Sequence, residues 1–364
     1  MLKTAPAVFA VGNDYQIMVP VMKPSLMWVK VGDKCYYDES NGVMRSQTPI
    51  HRMTVPVTAL DRAKKYTVCE RVIIDRQPYC PEIEDVVETE FSFSPVGSSS
   101  ARAYHIADAH NMVTEPIKAA KAFGKIDFLI LNGDIPNHSG DVENFDAIYE
   151  IAAELTNGSI PVVFARGNHD MRGIYAEQFT EYTPCDKGNS YFTFRIGGFW
   201  GMVLDCGEDK DDGHEEYGGT VCCHVFRERQ TQFIRHVIEN AENEYLADGV
   251  THRLVVAHNP FTRVFKPPFN IERNIYSHWA TMLKNHVKPD VMICGHNHNL
   301  IVSKPGSDYD DLGQPCTVVV GSKPGKKSFA GAGYTFEEDK ITVNFTDSDG
   351  SVKKPHIINI QKTD

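Results

Sequence analysis

A chain of 364 residues exceeds what one hydrophobic core usually absorbs, so two domains are the starting expectation. Its 41% hydrophobic and 23% charged residues are those of an ordinary globular protein. A formal charge of −11 argues against a general nucleic-acid or anionic-membrane binder, which would carry a basic face. No apolar run is long enough to cross a bilayer. The first twelve residues hold one lysine and an apolar stretch broken by Pro6, a poor signal peptide. The nine cysteines are odd in number and scattered, and the adjacent Cys222 and Cys223 form no Cys-x-x-Cys pair. Reduced thiols and a cytoplasmic location are the expectation, with a trimmed secretion signal as the alternative. Oligomeric state is left open.

Residues 1–97 read as all-β. Short apolar or alternating runs at 7–11, 15–20, 26–31, 53–57, 65–74 and 86–93 are separated by turn formers such as Gly12-Asn13-Asp14 and Ser40-Asn41-Gly42. That spacing predicts a β-sandwich of fibronectin III-like or similar kind. The stretch Pro95-Val96-Gly97-Ser98-Ser99-Ser100 is rich in breakers and places a boundary at residues 97 and 98.

From about residue 101 strands alternate with helices. Strands are predicted at 103–107, 126–131 and 160–165, and helices at 114–123 and 142–155. Pro116 is tolerated in a first helical turn. The continuous apolar run at 126–131 is expected of a strand covered on both faces. A strand pair follows at 191–196 and 199–205, then a long helix at 226–247. Further strands are predicted at 254–257, 291–294, 300–302, 316–320, 333–336, 340–345 and 356–360.

Seven residues able to bind metal stand at or near the ends of these runs. They are Asp108 and His110 in Asp-Ala-His, Asp134 in Gly-Asp, Asn168 in Gly-Asn-His-Asp, His258, and His296 and His298 in Gly-His-Asn-His. Singly, an aspartate here caps a helix and a Gly-Asp pair makes a turn. Together they form a mixed oxygen and nitrogen set that suits Mn, Fe, Zn or similar ions. Open α/β sheets bind ligands at the carboxyl ends of their strands. Two ions about 3.5–4 Å apart can clamp a phosphate and activate a water between them.

These motifs resemble the signature of the calcineurin-like metallophosphoesterases, and they span residues 108 to 298. The resemblance implies an α/β fold, a two-sheet β-sandwich flanked by helices, for residues 98–364. It implies two divalent or mixed-valence transition-metal ions. One would be held by Asp108, His110 and His298, the other by Asn168, His258 and His296, with Asp134 bridging. The activity implied is hydrolysis of a phosphate ester, a metal-bridging hydroxide attacking phosphorus. His169 would then protonate the leaving oxygen, or else orient a ligand. A nucleotide or cyclic-nucleotide phosphodiesterase and a non-catalytic protein-binding scaffold are the alternatives.

An N-terminal β domain before such a centre is similar to the purple acid phosphatases. They carry a tyrosine three positions after the bridging aspartate, where this chain has Asn137, and lack a histidine at the position of His110. A tyrosinate-to-iron colour is therefore not expected, and the partner of His169 is left open. Arg166 either contacts the phosphate, as in some protein phosphatases of the superfamily, or pairs with an acid at its strand end. Residues 207–220 are acidic and glycine-rich. They form either a plain solvated loop or one that overhangs the site, with His214 and Tyr217 as substrate contacts. The aromatic and proline residues at 265–269 form a second candidate wall. With every candidate ligand after residue 98, a fragment beginning near Ser99 is expected to keep the centre if the domain interface is small.

Overall fold

The computed structural model describes residues 2–360. Its strands form one 15-stranded sheet, a five-stranded sheet and a two-stranded ribbon. The large sheet has two halves joined through the Phe329–Phe336 strand. One half contains Phe192–Ile196, Phe199–Leu204, His252–Ala257, Val291–Cys294 and Thr317–Pro324. The other contains Ala101–Ile106, Phe128–Asn132, Pro161–Ala165, Ala7–Val11, Asp14–Pro20 and Ile50–Pro56. A single core fills the space between them, with Val8, Ile130 and Val163 from one half packed with Phe194, Val256 and Ile293 from the other. Gly12 bridges to Phe194 and ties the halves together.

Helices cover the outer faces. Ile117, Ala120, Ile148 and Ile151 from the Thr114–Phe123 and Asp146–Thr156 helices pack on Phe9, Leu129 and Val162. Ile234, Val237, Trp279 and Ala280 from the Cys223–Glu239 and Arg273–Met282 helices pack on Met202, Val255 and Met292. Strands sandwiched this way must be apolar on both sides, and Phe128–Asn132 and Pro161–Ala165 are buried at every position. Each fully buried Val, Leu or Phe contributes about 1.5–3 kcal/mol relative to exposure. The α/β class and the β-rich N-terminal region are as expected.

The N-terminal strands are placed differently from the expectation. Ala7–Val11 lies inside the large sheet, parallel to Pro161–Ala165 with Val8 opposite Pro161 and antiparallel to Asp14–Pro20. Ile50–Pro56 extends the same sheet. Residues 97 and 98 therefore do not divide two cores. The physical reason is visible in Ala-Val-Phe-Ala-Val, which has no polar face and is wholly buried. A fragment beginning at Ser99 would lack the neighbour of Pro161–Ala165 and expose Phe9's partners. Outside the large sheet lie the ribbon of Glu39–Ser40 with Val43–Met44 and the smaller sheet, built from Ser25–Val31, Lys34–Tyr37, Lys65–Asp75, Glu82–Ile83 and Val87–Ser92, whose Met27, Val29 and Val68 join the same core. Ser25–Val31 has the alternating burial of a half-covered strand.

Three α-helices were not foreseen. Val57–Ala63 buries only Val57 and Leu60, too short a run to show a period. Phe179–Tyr182 is a four-residue helix, and Arg273–Met282 is the third. The helix expected at 226–247 instead spans Cys223–Glu239. Its start is set by Asp212, whose carboxylate accepts from the N–H groups of Cys223 at 2.8 Å and His224 at 3.0 Å. Among the described residues no helix is long and apolar enough to cross a membrane.

Candidate metal centre

The residues that follow five strands of the large sheet meet at one edge. Asp108, Asp134, Asn168, His258 and His296 each lie within three residues of a strand end. Main-chain hydrogen bonds lace these loops together. Asp108 N donates to Gly133 O at 3.0 Å, His110 N to Asp134 O at 2.9 Å, and Gly295 N to His258 O at 2.8 Å. Asp108, His110, Asp134, His296 and His298 all have left-handed backbones, with φ between 47° and 68°. Such conformations cost energy in non-glycine residues and concentrate where a site over-determines the chain. The motif glycines make the close approach possible. A Cβ on Gly133 would sit 2.6 Å from Gly167 Cα and from His258 Nδ1, and one on Gly167 would overlap the Asp134 side chain.

All seven candidate ligands converge. Ligand atoms of Asp108, His110 and His298 lie within 4.8 Å of one another, as do those of Asp134, His258 and His296. His110 and Asp134 also group with His169. Asn168 Oδ1 is 3.0 Å from His296 Nδ1, on the side of the second cluster. Asp108, Asp134, Asn168 and His258 are buried, while His298 is half exposed.

The donor chemistry fits metal ions. His258 Nδ1 donates to Asn132 O at 2.7 Å, which fixes the tautomer and leaves Nε2 as the free lone pair. That Nε2 is buried without a hydrogen-bond partner among the described residues, 3.1 Å from Asp134 Oδ2 and 3.6 Å from Asp108 Oδ1. Burial opposes charging of His258, but Asp134 and Asp108 overcome it and push it up to about 10. A field that holds a proton this firmly also favours a divalent cation. Burial pulls His110 and His296 down to about 4, so both rings are neutral at pH 7, the form that binds metal.

Asp170 braces two of the loops. Its Oδ2 accepts from Gly167 N at 2.6 Å and Asp134 N at 3.2 Å, and burial followed by the Asp134 charge pushes it up to about 7. His169 lies beside the clusters. Its main-chain N–H donates to Asp134 Oδ1 at 2.8 Å, and its Nδ1 faces Asn137 O at 2.9 Å. The main chain of Asn137 thus supplies the partner that its side chain does not.

The other candidates fall elsewhere. Arg166 is turned away and pairs with buried Asp205, Nε to Oδ2 at 2.6 Å, with its guanidinium over Phe226. It takes the strand-end pairing, not the cavity. A cavity of about 350 Å³ opens over Asp134, Asn168, His169, His296 and His298, and neither His214 nor Tyr217 lines it. His214 is half-buried, and its Nδ1 accepts from Glu216 N to cap a turn. Tyr217 acts from behind, its hydroxyl donating to Asp209 Oδ1 at 3.1 Å and accepting from Lys210 N at 3.2 Å.

The 207–220 loop does reach the cavity, through Asp209 and Lys210. Arg172, Phe265 and Phe269 complete the wall. Arg172, Asp209 and Lys210 went unrecognised in the sequence because no motif spacing marks them. The available signal was the run of charges at 208–212 following a predicted strand. A larger cleft of about 880 Å³, between residues 40–49 and 178–182, touches none of the candidate ligands.

The chain belongs to the calcineurin-like phosphoesterase family, whose pattern matches residues 101–300 and so includes every motif above. No curated protein sequence matches the chain. Among solved structures, a purple acid phosphatase from yellow lupin (Lupinus luteus) seeds aligns over 99% of this chain and 75% of its own, with a TM-score of 0.60. Their identity is 14%, so the likeness is one of fold. A predicted phosphoesterase from Streptococcus pneumoniae covers 72% of this chain and 99% of its own at 10% identity, with a TM-score of 0.35. Vacuolar Protein Sorting 29 from Cryptosporidium parvum covers 72% of this chain and 100% of its own at 13% identity, with a TM-score of 0.36. These last two are too distant in shape to bear on the argument. Family and donor set together support a metal-dependent phosphoester hydrolase.

Proposed function

We propose that the protein hydrolyses phosphate esters at a two-metal centre. The observation that carries this is the convergence of two donor clusters and His169 on one cavity. The first metal would be held by Asp108, His110 and His298, and the second by Asn168, His258 and His296, with Asp134 between them. Ions of the Mn, Fe or Zn kind would supply Lewis-acid charge for the phosphoryl oxygens and make a water acidic enough to attack near neutral pH.

The chain's own residues do the rest. Asp170 and the motif glycines fix the loops, so no reorganisation is needed as charge develops. His169 is the proton donor. Its Nδ1–H is held by Asn137 O, so a proton taken up at Nε2 is the one delivered to the leaving oxygen. Phe265 and Phe269 form an apolar wall against which the leaving group lies.

The test is hydrolysis of monoester and diester panels by protein loaded with Mn, Fe or Zn, with and without chelator. Turnover of at least one class, lost on chelation, is expected. Absence of tightly bound transition metal together with chelator-insensitive activity would sink the proposal.

A further inference from the structure

We propose that Arg172 is the guanidinium that binds the phosphoryl group at this centre, in the role that Arg166 cannot take. Arg172 follows the Gly-Asn-His-Asp motif by two residues, and its side chain lines the cavity. Glu208 holds it from behind. Nε donates to Glu208 Oε1 at 2.8 Å and Nη2 to Oε2 at 2.9 Å, and the Glu208 side chain is fully buried. That fork uses one edge of the guanidinium and leaves Nη1 outside it. Nη1 lies 3.4 Å from His169 Nε2 and 3.4 Å from Glu216 Oε1.

The contact with His169 places Nη1 beside the nitrogen from which the proposed proton donor would act, so a phosphoryl oxygen bonded to Nη1 would lie next to the leaving oxygen. Buried Glu208 keeps the guanidinium in place, so little side-chain freedom is lost on binding. A charged Nη1 donor, rigidly held next to the leaving oxygen, is suited to a phosphate dianion, free or esterified. Arg166, six residues earlier, pairs with Asp205 and does not line the cavity.

This inference rests on the phosphoesterase reading for the presence of metals, and the test separates the two. Inorganic phosphate is titrated calorimetrically into the full-length, metal-loaded protein. The variants are Arg172→Lys and the double change Arg172→Gln with Glu208→Gln. The double change avoids leaving Glu208 buried without its partner. Metal content and melting temperature are read alongside.

With metal content unchanged, the double variant is expected to bind phosphate roughly 10- to 100-fold more weakly, the scale of a lost charge-assisted contact. Arg172→Lys keeps the charge without the fork, so its affinity should fall between the two. If the double variant does not fold, Arg172→Lys decides alone. Wild-type affinity in the folded variants, or no phosphate binding by the wild type, overturns the proposal. Phosphate binding through Arg172 without hydrolysis of any ester would uphold it while removing the hydrolase reading.

Discussion

The loops that end the central strands and the loop at 207–220 wall the same cavity but are held in different ways. The strand-end loops are fixed by main chain: inter-loop N–H to carbonyl bonds, left-handed ligand residues and glycines in contact with neighbouring motifs. The 207–220 loop is fixed by side chains. Glu208 grips Arg172, Lys210 meets Asp209 at 3.1 Å and Glu216 at 2.8 Å, and Tyr217 supports Asp209. Main-chain architecture fails as a unit, because one misplaced loop shifts its neighbours. Side-chain architecture fails in steps, one ion pair or hydrogen bond at a time. The first suits metal ligands, which need fixed geometry. The second suits substrate contacts, which can be retuned without disturbing the metals.

The sharpest way to break this contrast is Gly167→Ala. The added methyl would collide with the Asp134 side chain and main-chain nitrogen, so loss of bound metal and of nearly all activity is expected. Elemental analysis of folded protein, checked by circular dichroism, reads the outcome. A fully metallated variant would show the backbone to be more pliant than described.

His169→Ala comes next. Both metals should remain while turnover falls roughly 10²–10⁴-fold, the usual span for a lost general acid. The fall should shrink for nitrophenyl esters, whose leaving group needs little protonation. Equal falls for good and poor leaving groups would remove the assignment.

Asp209→Asn probes the point where the two architectures touch. Asp209 Oδ2 lies 3.7 Å from His296 Nε2, on the ring edge opposite the nitrogen that faces Asn168. A carboxylate behind a ligating imidazole raises its basicity, and losing one typically costs 10–100-fold in metal affinity. The low end, roughly tenfold, is expected here because the separation is long. Competition with a metal chelator measures it. No change would confine the 207–220 loop to substrate contacts.

The smallest effect is that of Tyr217→Phe, which deletes the hydroxyl bond to Asp209. A loss of about 1 kcal/mol in stability is expected, with metal content intact. Denaturant unfolding provides the measurement.

The same contrast explains what could be read from the residues. The seven candidate ligands sit in short motifs because a main-chain site demands particular residue types at particular steps, so their convergence was legible. Asp205, Glu208 and Arg172 pair across distances in the chain that no local pattern encodes. Arg166 therefore looked available while Arg172 went unnoticed. The positions of most strands after residue 100 followed from their apolar runs. The first strand, Ala7–Val11, showed the same fully apolar character. Short turn-separated neighbours suggested a separate sandwich, yet beyond its partner Asp14–Pro20 its other neighbour in the sheet begins at Pro161.

That pairing bears on how the chain can assemble. Val8 is matched with Pro161, and Tyr104 with Gly333. Such long loops must close before their contacts reward closure. A nascent chain of some 160 residues would carry Asp108, His110 and Asp134 but lack the strand that lies between Ala7–Val11 and Phe128–Asn132. It would also lack His258, His296 and His298. The centre is thus among the last parts of the molecule to exist, emerging only after nearly all of the polypeptide is available to build the sheet beneath it.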